Sequence, residues 1–207
     1  MRAKAICTIL ILLIAGAAVA QEAKVRVRGE SKVTASALTI GDIADVQGQD
    51  AKAVAAVRAV RLGISPLPGN WRELDRDAIR SQLVRSGFGG RVALACPAVV
   101  RIYRASQTVT QKALEKKLRE FIAAHAPWKS DEMEIGEVSR VGDLVIPAGS
   151  LSIDIQPRGN GDYLGASAFQ VDIIVDGRTA HQLVMQVRIA VFREAVVAVN
   201  AVPAHSN

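Results

Sequence analysis

Hydrophobic positions along this chain recur with three textures: one continuous run, several period-2 alternations, and two helical stripes. The continuous run spans Ile6 to Ala15, follows Met1, Arg2 and Lys4, and precedes Ala18-Val-Ala20. A positive start, an apolar stretch and a small-x-small box are the parts of a cleaved export signal, which places the cut between Ala20 and Gln21. The run falls short of the ~20 apolar residues that a membrane-spanning helix requires. Gln21, Glu22 and Lys24 follow it, and Cys7 lies inside it without a lipid-anchoring box. The expected product is exported and keeps no stable membrane anchor.

Past the leader, Val25-Arg-Val-Arg28 alternates as a half-buried strand, and Leu38 to Ile43 reads as a second strand ending in a turn. Asp50 to Val60 predicts a short helix capped by Asp50, with Val54 and Val57 on one face. A strand from Val60 to Ile64 ends at the turn Pro66-Leu-Pro-Gly69. Asp75 then caps a helix with Leu74 and Ile79 at staple positions, an apolar stripe of Ile79, Leu83 and Val84, and Gly87 as its stop. Gly89-Gly90 leads into a β-forming stretch from Arg91 to Tyr103.

Gln107 to Ala126 carries the clearest helical period, with Leu114, Leu118, Phe121 and Ile122 on one side and mixed charges on the other. From Met133 onward only strands are expected: Met133 to Val141, Leu151 to Ile155, and Phe169 to Val175. The last of these enters Asp176-Gly177, a strong hairpin signal, and returns as Leu183 to Phe192. Ala195 to Val202 predicts one more strand. The fold class is therefore α+β. Residues 1–20 form the signal peptide, 21–106 a mixed α/β domain, 107–195 a mostly antiparallel sheet with one packed amphipathic helix, and 196–207 a further β segment.

Charge changes the picture little. The formal net charge is +6, and loss of Arg2 and Lys4 with the leader lowers it to +4. The basic residues are dispersed, and two Trp, two Tyr and four Phe supply few stacking platforms. Clustered Lys/Arg or base-stacking aromatics are what nucleic-acid binding requires, so that class is excluded. Cys96 is the single cysteine left after the leader, so apolar burial rather than disulfides must hold the fold. Its setting, Val92-Ala-Leu-Ala-Cys-Pro97, reads as a buried small hydrophobe rather than a reactive thiol.

The search for chemistry finds no catalytic, cofactor-binding or metal-ligating residue to assign. His125, His181 and His205 lack ligand spacing. His125 suits the end of a helix, His181 falls just beyond the hairpin turn, and His205 lies near the terminus. No serine sits in a nucleophile elbow, and Gly87, Gly89 and Gly90 precede a strand rather than a helix. Asp131, Glu132 and Glu134 cluster at a strand start; catalytic carboxylates need not be neighbours, which keeps a hydrolase as an alternative. The chain reads as a binding protein rather than an enzyme. Gln182 to Val202 could offer a strand edge to another chain or fill a sheet core. Trp71 and Trp128, both beside turns, are candidates for interface anchors or for core packing.

The order of segments carries a resemblance. After the leader come Leu38-Thr-Ile-Gly-Asp-Ile-Ala44, then Leu62-Gly-Ile-Ser-Pro-Leu-Pro-Gly-Asn-Trp-Arg72, a capped helix, and Val99-Val-Arg-Ile-Tyr-Arg-Ala-Ser106. Together these resemble the amino-terminal region of flagellar basal-body P-ring formation proteins. The helix from Lys112 to Ala124 and the hairpin from Phe169 to Phe192 are similar to that family's following helix-plus-sheet domain. The resemblance implies a chaperone in the periplasm of Gram-negative bacteria, assisting the P-ring subunit to assemble around the rod. Rod proteins are a second expected partner, and no cofactor or catalytic residue is implied. Val196-Val-Ala-Val-Asn-Ala-Val-Pro203 looks like the opening of the family's SAF-type β domain, which implies that the sequence stops at the start of that domain. The alternative reading is another cell-envelope binding module, such as a pilus or secretion accessory.

Overall fold

The computed structural model describes residues 23–129, 131–159 and 163–194. The signal peptide, the Ala20–Gln21 junction, Cys7, the strand expected over Ala195 to Val202, the SAF-like segment 196–207 and His205 lie outside the described residues.

In chain order the elements are β1 (Ala23–Val27), β2 (Glu30–Val33), β3 (Ala37–Thr39), α1 (Ile40–Ile43), β4 (Ala44–Gln47), α2 (Ala51–Arg58), β5 (Arg61–Ile64), β6 (Trp71–Asp75) and α3 (Arg76–Leu83). A π-helical turn (Val84–Phe88) leads to β7 (Val92–Ala95), β8 (Val99–Arg104), β9 (Ser106–Val109) and α4 (Gln111–His125). The chain continues as β10 (Met133–Val138), β11 (Leu144–Pro147), β12 (Leu151–Arg158), β13 (Gly165–Val175) and β14 (Arg178–Val191). The class is α+β with mostly antiparallel sheets, as expected.

The chain divides into two compact units. Among the described residues the first comprises 23–31, Ala37–Gly63 and Glu73–Arg101; the second comprises Lys32–Ser36, Ile64–Arg72 and those from Ile102 onward. Divisions fall inside β2, β5, β6 and β8.

In the first unit β1 pairs antiparallel with β4 and parallel with β7. Ala23, Val25 and Val27 alternate inward along β1 and are buried, while Lys24 and Arg26 face solvent. Two expectations are corrected here. Leu38 to Ile43 is not one strand: after Thr39 the chain coils into α1, because Asp42 Oδ2 accepts from both the N–H and the hydroxyl of Thr39 at 2.7 Å. That reciprocal cap ends the extended run and buries Ile40 and Ile43. Val84 does not belong to the apolar stripe of α3. Val84 is the C-cap of α3, still at helical φ −60° and ψ −50°; one residue beyond Leu83 it lies round the helix from the stripe and is exposed, while Ile79 and Leu83 are buried. Asp50 does cap α2, accepting from the Lys52 N–H at 2.8 Å, but only Val57 of the expected valine pair is buried.

The second unit is built on a four-stranded antiparallel sheet in the order β10-β14-β13-β12. Asp176 (φ 51°) and Gly177 (φ 74°) both adopt the left-handed conformation that a tight two-residue hairpin requires. Helix α4 packs Leu114, Leu118 and Ile122 into one core with Phe169, Val171 and Ile173 of β13 and Met185, Val187 and Ile189 of β14. Each such fully buried side chain contributes ~1.5–3 kcal/mol.

The helix begins later than its period indicates. Gln107 to Val109 are strand β9, and Thr110 caps α4 by accepting from the Ala113 N–H at 3.2 Å. β-branched Thr108 and Val109 suit the strand, paired with β11, better than a helix start. β10 stops at Val138 rather than Val141, after Gly136 and Glu137 bulge opposite Arg188. β12 extends past Ile155 to Arg158 despite Pro157, which edge strands tolerate.

Candidate protein-binding groove

The segment Ile64–Arg72 forms a pinned loop. Asn70 N–H donates to Leu67 O at 3.0 Å, Gly69 N–H to Arg104 O at 2.9 Å, and Arg104 N–H to Asn70 O at 3.1 Å. The Arg72 guanidinium closes the loop onto Ile64 O. Gly69 stands at φ 77°, and a Cβ there would lie 3.1 Å from Ser106 Oγ and 3.4 Å from Val145 Cγ1, so any side chain would be strained in its backbone and crowd Ser106. With the backbone held, three large apolar side chains remain in solvent: Ile64 at 75%, Leu67 at 73% and Trp71 at 57% exposure. Trp71 rests against Tyr103 with ring centroids 5.0 Å apart. Val145, beside Gly69, is also exposed.

Pro68 of this loop borders a groove of about 710 Å³ that lies wholly within the second unit. Its other walls are Thr34–Ser36, Arg104, β11 with Ala148, and the hairpin residues from Val175 to His181. That volume is within the ~300–1,000 Å³ of ordinary ligand pockets.

Electrostatics inside the groove are uneven. Asp176 is already engaged, its Oδ1 accepting from the Ser150 N–H at 2.9 Å. Arg104 donates from Nη1 to Pro66 O at 3.3 Å, while its Nε is buried without a hydrogen-bond partner among the described residues. Arg178 is exposed on the wall. The groove therefore offers two guanidinium groups against one committed carboxylate.

A second feature borders the groove. β10 pairs with β14 only from Val187 to Val191, and Ser139 closes the next residue, Gln186. The chain then turns away, because Gln111 Oε1 accepts from Val141 N–H at 2.9 Å and Gly142 N–H at 3.1 Å. From Arg178 to Met185, β14 has a strand partner among the described residues on its β13 side alone. β11 stands beside it without joining its ladder.

The residues singled out from sequence are dispersed. His181 lies within β14 rather than just beyond the turn, after a one-residue bulge at Ala180, and lines the groove. His125 Nδ1–H donates to Phe121 O at 2.9 Å, and the imidazole stacks on the Phe121 ring at 4.2 Å. Trp71 joins the exposed loop, whereas Trp128 is half-buried with the Arg193 guanidinium 5.1 Å from its ring centroid. Cys96 is half-buried, and burial pushes its thiol pKa up against the lowering effect of Arg76 and Arg80.

Among the described residues no group of three or more His, Cys, Asp and Glu could hold a metal ion. No helix among them is long and apolar enough to cross a membrane. The groove itself escaped sequence reading: β11 is four residues long and ends in Pro147, and Arg104 and Arg178 looked like dispersed surface charge. No protein-family model, curated protein or solved structure matches the chain.

Proposed function

We propose that this chain is a periplasmic accessory factor that assists assembly of the flagellar basal-body P-ring around the rod, working as a stoichiometric chaperone. One observation supports this most. The stretch Leu62 to Arg72, central to the resemblance to P-ring formation proteins, ends in the loop that exposes Ile64, Leu67 and Trp71 beside an open groove. Large apolar side chains clustered on a surface mark a place where a partner is covered or held. A ring subunit before assembly carries adhesive surfaces of its own, and a transient apolar contact would shield them until the rod is reached.

The test is deletion of the gene followed by electron microscopy of isolated basal bodies and a swimming assay. The reading requires rods that lack P-rings, and recovery when the wild-type gene is restored. Intact P-rings and normal swimming in the deletion strain would refute it. If pilus assembly or secretion failed instead, the chain would belong to another envelope system.

A further inference from the structure

We infer that the groove takes an extended, acidic segment of another polypeptide, added as a strand along the free edge of β14. The identity of that polypeptide as the unassembled ring subunit rests on the reading above; the site itself does not.

The backbone makes the first argument. Gln186 turns both its N–H and its C=O toward Ser139. Backbone direction alternates along a strand, so Val184 and Gln182 present their donors and acceptors on that same side. Among the described residues no strand of the sheet meets them there. The free stretch of eight residues spans ~27 Å at 3.4 Å per residue, ample for an added strand. Chain addition to such an edge draws affinity from main-chain hydrogen bonds.

The second argument compares the free stretch of β14 with the edge strand β12. β12, at the opposite border of the sheet, carries Asp154, Pro157 and Arg158, all devices that discourage edge pairing. After Arg178, the free stretch of β14 reads Thr-Ala-His-Gln-Leu-Val-Met and has neither proline nor a carboxylate nor a lysine. Its one irregularity is the bulge at Ala180. It is the receptive edge of the two.

Charge names the occupant. Arg178 is exposed on the groove wall and Arg104 adds a second guanidinium to the lining, while Asp176 is held by Ser150. A segment with carboxylate side chains would pair with the exposed Arg178 guanidinium, and charge-assisted bonds to arginine are the strong ones. A basic segment would meet two guanidinium groups and only the one carboxylate of Asp176, already engaged by Ser150.

The test uses the full chain and two probes, an octapeptide of alternating Glu and Val and its Lys/Val counterpart, with affinities read by fluorescence anisotropy. The Glu/Val peptide should bind at least tenfold more tightly than the Lys/Val peptide. Arg178→Glu, a change at an exposed side chain, should remove that preference. Val184→Pro should weaken binding at least tenfold, since its ring blocks the outward edge without taking a bond from β13. If the proline variant melts early by circular dichroism, Arg178→Glu alone carries the test. Equal binding of the two peptides, or a preference untouched by Arg178→Glu, overturns the site. Purified ring subunit should displace the bound Glu/Val peptide; failure to displace overturns the partner and leaves the site standing. Self-association of the wild-type chain that Val184→Pro abolishes would instead make this edge a dimer interface and overturn the proposal.

Discussion

Ser139 satisfies both backbone groups of Gln186: its own N–H donates to Gln186 O at 2.8 Å, and its Oγ accepts the Gln186 N–H at 2.9 Å. This pair marks where β10 leaves β14 and where the free edge begins. Ser139→Ala keeps the backbone bond and removes the hydroxyl acceptor. The expected loss is ~0.5–1.5 kcal/mol, together with faster hydrogen exchange at the Gln186 amide. Unchanged exchange there would contradict the assignment.

Gln111 holds the segment that carries the chain from β10 to β11. Its Oε1 receives two backbone N–H groups, and its Nε2 reaches Ser139 O at 3.3 Å. Gln111→Ala leaves Val141 and Gly142 without their acceptor, which should destabilise the fold by ~1–3 kcal/mol in urea unfolding. Because β11 is a wall of the groove, the same change should also weaken peptide binding.

The β10 bulge has its own lock. Arg119 donates to Ile135 O and to Gly136 O, each at 2.7 Å. A Cβ at Gly136 would lie 2.9 Å from Arg188 O, a backbone atom that cannot step aside. Gly136→Ala should therefore cost ~1–3 kcal/mol through overpacking. A melting temperature equal to wild type would show that the bulge absorbs the methyl group.

Ser65 Oγ is buried with no hydrogen-bond partner among the described residues. Removing an unsatisfied buried hydroxyl relieves a desolvation cost, so Ser65→Ala should be neutral or stabilising by up to ~1 kcal/mol. Marked destabilisation in thermal unfolding would reveal a partner for that hydroxyl.

Burial raises the Cys96 thiol pKa, with Arg76 and Arg80 only partly offsetting it. The thiolate is the nucleophile, so iodoacetamide should label folded Cys96 more slowly than the unfolded chain at pH 8. The sign follows from linkage: the folded state holds its proton to higher pH, so the stability tied to the protonated thiol fades as pH rises through that range. Equal labelling of folded and unfolded chain would refute the partial burial of this thiol.

Much of this architecture was legible from local pattern. The Asp176-Gly177 hairpin, the stripe of Leu114, Leu118 and Ile122, and the alternation of Met185, Val187 and Ile189 each follow from side-chain period and turn chemistry. The errors fall where a side chain reaches across a short distance to change the backbone path. Asp42 coils Ile40 to Ile43 out of an apparent strand, and Thr110 delays a helix whose apolar period runs on. The groove was less legible still, since Pro68, Arg104, Ile146 and Arg178 meet only through long-range folding. Trp71 drew notice as an aromatic beside a turn. Nothing local showed that its loop would be pinned with Ile64 and Leu67 outward.

That loop allows the most direct measurement of the central claim. Leu67→Asp combined with Trp71→Ala alters two exposed side chains and should leave the protein's level in the periplasm unchanged. In a strain where this variant replaces the wild-type gene, electron microscopy of isolated basal bodies should find rods with P-rings absent or strongly depleted. A full complement of P-rings, with the variant present at wild-type level, would contradict the account.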